Sequence, residues 1–149
     1  MKSICILCSL FLLATGCGGS STPITSAQEQ ENSLQHVGEM VRNFQMSKNK
    51  PPTKFSDFTS VRAVAGNGFE AVRSGMVVLR YGAMLSDTKE EPGQTPSDEL
   101  LAYESQVPEK GGRVLMLDRT IKTMTPEEFK VAKLAGKSAS DTSDSKTKS

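Results

Sequence analysis

Gly66-Asn67-Gly68-Phe69-Glu70-Ala71 has the Gly-x-Gly-x-x-Ala form of a turn that cradles a dinucleotide pyrophosphate. Asp87 stands about 20 residues further on, where such a site places the carboxylate that takes a ribose hydroxyl. That chemistry needs a strand before the glycines and a full crossover helix after them, yet only about six residues separate Gly68 from Gly75. A glycine turn between two short helices accounts for the segment better. His36 is the single histidine and falls on the flank of an apolar helical stripe, with no Ser-His-Asp, His-Glu-x-x-His or cysteine cluster in the chain to complete a catalytic or metal site. The acidic neighbours Glu90-Glu91, Asp98-Glu99 and Glu127-Glu128 are adjacent in sequence, so their side chains diverge, and no calcium-loop spacing is present. No catalytic residue, metal ligand or cofactor is expected.

One recognition surface is conceivable. Tyr81 and Tyr103, with Arg80 and Arg113, lie on predicted strands, and an antiparallel sheet with one open face could group them into a binding patch. Ordinary strand alternation explains the same residues, since register is not readable from one sequence. Charge excludes one class of partner. Eighteen Lys and Arg stand against 17 Asp and Glu, a formal net charge of +1, so there is no basic field for nucleic acid.

The elements that must carry these residues begin with an address. Met1 and Lys2 give a positive start, and Ile4 to Leu13 form a nearly continuous apolar stretch, too short for a span that needs about 20 residues. Residues 1–16 therefore read as a secretory signal peptide. Cys5-x-x-Cys8 has redox or metal spacing but sits inside this apolar leader with no histidine near it. The leader ends in Leu13-Ala14-Thr15-Gly16-Cys17, followed by Gly18-Gly19-Ser20-Ser21. These residues resemble the lipobox of bacterial lipoproteins, with Ala14 where leucine is commonest. The resemblance implies cleavage between Gly16 and Cys17, acylation of the Cys17 thiol, and a lipid-anchored exported protein of the bacterial cell envelope, on the periplasmic side or the cell surface. Cys17 would be the only cysteine of the mature chain, so no disulfide forms within it.

Residues 17–31, rich in Gly, Ser and Thr, read as a lipidated cysteine and flexible tether. Residues 32–136 read as a single α+β domain and residues 137–149 as a disordered polar tail. Leu34, Val37, Met40, Val41 and Phe44 recur at helical spacing, predicting an amphipathic helix that stops near Asn49 before Pro51-Pro52. Phe55, Phe58, Val61 and Val64 predict a short helical turn capped by Ser56. A second short helix is expected over Phe69 to Ser74, closed by Gly75. Strands are expected at Met76–Tyr81, Leu100–Glu104, Arg113–Leu117 and Thr120–Met124, with a tight turn at Asp118-Arg119. Ser86 to Asp98 reads as an exposed, mobile loop. Thr125-Pro126-Glu127-Glu128 is a capping box that opens a helix to about Ala135. The expected architecture is an N-terminal amphipathic helix packed on a small antiparallel sheet of three to four strands, followed by a short C-terminal helix.

The order Leu101-Ala102-Tyr103-Glu104, Gly111-Gly112, Arg113 to Asp118 and Thr125 to Phe129 also resembles the C-terminal sheet region of pilin-like exported proteins of planctomycete-type bacteria. It covers roughly residues 75–130, with Arg119 where that family has glycine and a lipobox in place of a prepilin leader. The family brings no catalytic residues. The reading is thus a membrane-tethered, non-catalytic lipoprotein acting as a structural or interaction module, with the membrane and an envelope protein as partners. A pseudopilin-like, secretion-accessory or ligand-binding envelope protein is the alternative.

Overall fold

The structure is a computed structural model that describes residues 26–138, with side chains from Asn32 onward. The leader, Gly16 and Cys17, and the tail from residue 139 lie outside the described residues. The fold is α+β. Helix α1 covers Ser26–Lys48, a 3-10 helix covers Phe55–Val61, and α2 covers Gly66–Arg73. Strands β1 (Val77–Leu79) and β2 (Glu99–Glu104) follow, then the one-turn helix α3 (Val107–Lys110). Strands β3 (Gly112–Met116) and β4 (Ile121–Met124), helix α4 (Pro126–Val131) and the two-residue β5 (Lys133–Leu134) complete the order.

The sheet is an antiparallel meander β1-β2-β3-β4, to which β5 adds in parallel beside β2. A register shift between Leu100 and Ala102 interrupts the β2–β3 ladder, so the neighbours Leu101 and Ala102 share one hydrophobic cluster while Leu100 belongs to the other. The larger cluster takes Leu34, Val37, Met40, Val41 and Phe44 of α1 together with Val77, Leu79, Leu101 and Leu115 of the sheet. The smaller holds Leu100, Val107, Val114 and Met116 under Tyr103, Met124 and Phe129. The second sheet face is therefore not left open as expected: α3 and α4 cover it, because Phe129 comes round with the capped helix to meet Tyr103 edge-on at 4.7 Å. Thr125 Oγ accepts from the Glu128 amide, and the Glu128 carboxylate accepts from the Thr125 amide, completing the expected capping box.

Several boundaries move for identifiable reasons. Helix α1 starts at Ser26, inside the segment read as tether. Asn49 closes it in the left-handed region at φ 50°, as a residue before Pro51-Pro52 must leave the helix. Ser56 is not the cap of the 3-10 helix; the Asp57 carboxylate instead gathers the Thr53 and Lys54 amides and the Thr53 hydroxyl. Glycine does not break the chain before α2 but forms its first turn, since a side-chain carbon on Gly68 would sit 2.4 Å from the His36 carbonyl oxygen. Only glycine lets the two helix backbones touch there. Helix α4 ends at Val131, short of Ala135, and the chain beyond it folds back: Lys137, read as the start of the tail, bridges Tyr81, and Ser138 is buried.

Candidate functional site

The four residues read as a binding patch do not meet on one surface. Tyr81 lies in the larger cluster, whereas Tyr103 packs against the smaller one on the opposite face. Arg80 is buried, and its guanidinium donates to the Ala135 and Gly136 carbonyl oxygens at 2.6 and 2.9 Å, tying the returning C-terminal segment to β1. Arg113 is half-buried at the start of β3, and its amide donates to the Glu104 carboxylate at 3.0 Å. Strand alternation and C-terminal anchoring explain these side chains; burial and the Asp57 carboxylate push the Tyr81 phenol up from its ordinary value.

What the structure assembles instead is a cleft along β1. Strand β1 is the end of the meander, so one side of its backbone faces away from the sheet. Phe55 reaches it from the 3-10 helix and stacks on Phe69 at 4.5 Å, while Val72 and Arg73 reach it from the last turn of α2. Gly75, at φ 76°, turns the chain from α2 into β1. The result is a hollow of about 470 Å³ over Val77, Val78 and Leu79, lined mainly by apolar atoms. Tyr81 and Phe55 form the ridge to a neighbouring hollow of about 470 Å³, which Thr53, Lys54, Gly82, Lys137 and Ser138 complete. At the rim Arg73 Nε meets Glu70 at 2.6 Å, and Arg62 meets the same carboxylate at 3.3 Å.

A second constellation, unseen in the sequence, centres on Arg119. It stands in the β3–β4 turn at φ 66°, a left-handed conformation that favours glycine, and its side chain is 2% exposed. Its guanidinium pairs with Glu39 of α1 and donates to the Asp87, Lys89 and Glu90 carbonyl oxygens. The Asp87 carboxylate, also buried, accepts from the Lys89, Gln94 and Thr95 amides. Asp118 accepts from the Ser97 and Thr120 amides and the Thr120 hydroxyl. Burial pushes both carboxyls up, but these donors, with Arg119 beside Asp87 and Lys122 near Asp118, outweigh it and hold both below the usual carboxylate range. The segment Ser86–Asp98, read as mobile, is thereby stitched at both ends. The one available hint was a bulky residue at a turn position that wants glycine.

Of the remaining candidates, His36, exposed on α1, shares a hollow of about 230 Å³ with Glu39 and Gly66-Asn67-Gly68, whereas Asp87 is spent on its own loop rather than facing that turn. Among the described residues no group of three His, Cys, Asp or Glu could hold a metal, and no helix is long and apolar enough to cross a membrane. Glu128 serves its helix cap, and Asp98 pairs with Lys133 across the surface. The chain matches no protein-family model, and comparison with curated proteins and with solved structures likewise finds no match.

Proposed function

We propose that this protein is a lipid-anchored, non-catalytic interaction module of the bacterial cell envelope, exported by residues 1–16 and held by acylated Cys17. The lipobox residues Ala14 to Cys17 support the anchor. The observation that carries the interaction role is the apolar cleft along the unshared edge of β1, a surface suited to a protein partner. On this reading the amphipathic face of α1 serves as the back plate of the sheet, leaving the β1 edge to the partner. From Cys17 to the start of α1 at Ser26 the chain reaches at most about 30 Å, which would keep the domain beside its membrane.

Membrane fractionation combined with cross-linking in native envelopes tests this, comparing wild type with Cys17→Ser. Release of Cys17→Ser into the soluble fraction, and capture of a defined envelope complex by the wild type alone, is the expected result. A Cys17→Ser protein that stays membrane-bound refutes the lipid anchor. A pseudopilin-like accessory role is the second reading, favoured by the succession of β2 ending in Tyr103-Glu104, β3, β4 and the capped α4. Co-purification with an export apparatus would distinguish it.

A further inference from the structure

We propose that the two joined hollows beside β1 bind an alkyl chain that carries a carboxylate or phosphate head. The proposal goes beyond the tethered-module reading: it stands on the walls of the hollows, whichever protein meets their rim.

The hollows exist because aromatic and branched side chains from three elements meet without closing. Phe55 is half-buried at the start of the 3-10 helix, and Val72 is half-buried in the last turn of α2. Tyr81, just beyond β1, is backed by Phe58, with ring centroids 6.5 Å apart. Phe55 and Tyr81 line both hollows, so the two, about 470 Å³ each, run together past these rings. Each has the volume of a small-ligand pocket, about 300–1,000 Å³, and far exceeds the voids left in a packed core. Val77 and Leu79, each 2% exposed, close the floor, so the surrounding side chains and not the backbone of β1 would meet a ligand. Apolar atoms dominate the walls, which suits an alkyl chain.

Polar groups mark where the head sits. Tyr81 is 9% exposed, and its hydroxyl finds no hydrogen-bond partner among the described residues, although a buried phenol ordinarily has one. Burial and the Asp57 carboxylate push the phenol up from its ordinary value, so it stays a donor. Lys54 and Lys137 line the same hollow and Arg73 the other, and no acidic side chain lines either. Asp57 interacts with Lys54, and its carboxylate is taken up by the Thr53 and Lys54 amides and the Thr53 hydroxyl. Lys137 has no ion-pair partner among the described residues, and Arg62 and Arg73 share the single carboxylate of Glu70. Positive charge is therefore in excess around the walls. An anionic head beside Tyr81 gains the phenol as donor and a lysine as counter-charge. The chain's own continuation, Ala139 to Ser149, has no apolar residue larger than alanine and cannot fill the hollows.

Methyl NMR of the full chain in nanodiscs of deuterated phosphatidylcholine tests the proposal, with decanoate as probe and decylammonium as its opposite-charge control. Decanoate is expected to shift the Val72, Val77 and Leu79 methyl signals with a dissociation constant below about 1 mM, and decylammonium to bind about tenfold more weakly. Tyr81→Phe should weaken decanoate about fivefold. Joint reversal of the exposed lysines, Lys54→Glu with Lys137→Glu, should weaken it about tenfold, with unmoved Val114 and Met116 signals reporting an intact fold. Two sources of the ligand are separated by mixing phosphatidylglycerol into the nanodiscs: competition with decanoate supports a membrane phospholipid, and undisturbed decanoate binding supports a free fatty acid. No saturable shift at about 5 mM decanoate, or equal binding of decylammonium, overturns the proposal. So does decanoate binding that neither Tyr81→Phe nor the lysine reversal alters. Contacts from a protein-borne acyl chain to Val72 without probe, lost in Cys17→Ser, would also overturn it, because that chain has no anionic head and the hollows would then hold the protein's own anchor. Envelope capture is scored separately: its loss with decanoate binding intact refutes the tethered module alone, whereas intact capture without decanoate binding refutes the ligand site alone.

Discussion

The loop Ser86–Asp98 and the strand β1 behave contrary to their compositions. The loop is polar and rich in proline and glycine, yet two buried carboxylates and a buried arginine satisfy its backbone. Strand β1 is apolar, with Val77 and Leu79 buried as whole residues, yet the main-chain groups on its outer side meet no hydrogen-bond partner among the described residues. Polarity reports what a side chain prefers to touch; order depends on whether backbone hydrogen bonds find partners. The polar segment found them in charged side chains brought by distant elements, and the apolar edge did not.

The contrast is broken most strongly at Arg119. Arg119→Ala is expected to cost about 3 kcal/mol in denaturant unfolding, because it strips a buried cation from Glu39 and from several loop carbonyls. Arg119→Gly should cost about 1 kcal/mol less than Arg119→Ala, since glycine adopts the positive φ without strain. A loop that stays protected from proteolysis in both variants would show that Arg119 is not its clamp.

Gly68→Ala should lower stability by about 1–3 kcal/mol by forcing α1 and α2 apart, while Gly66→Ala, with open space around the added carbon, should leave it near wild type. Equal effects would mean that the two helices do not meet at Gly68.

Acid sharpens the comparison further. Asp87 and Asp118 have folded-state values below their unfolded ones, so the stability they contribute is present above the unfolded value and disappears as pH falls through the folded value. Thermal unfolding should hardly change from pH 7 to about 5 and should weaken below about pH 4. Asp87→Asn should flatten part of that acid limb and speed amide exchange at Gln94 and Thr95. At the β1 rim the smallest effect is expected: Arg73→Ala, with its side chain 64% exposed, should change stability by less than about 0.5 kcal/mol.

Much of the local architecture was legible. The spacing of Leu34, Val37, Met40, Val41 and Phe44 marks α1, the Thr125 to Glu128 box opens α4, and Gly75 closes α2, because each signal acts within a few residues of itself. The candidate site was less legible. Tyr81, Tyr103, Arg80 and Arg113 were recognisable as strand residues, but the opposite faces of Tyr81 and Tyr103 depend on the β1–β2 register, and the partners of Arg80 on the segment returning from Lys133.

The sequence by itself determined the kinds and order of the principal helices and strands, and it carries the lipobox resemblance at Cys17. Tertiary structure alone decided that Arg119 reaches Glu39 across 80 residues, that Gly68 meets the His36 carbonyl, and that Lys137 takes one rung of the β1 edge. The physical reason is range: periodicity and capping are encoded by neighbours along the chain, whereas the pairing of a buried charge or an edge amide is settled by whichever distant group the fold delivers.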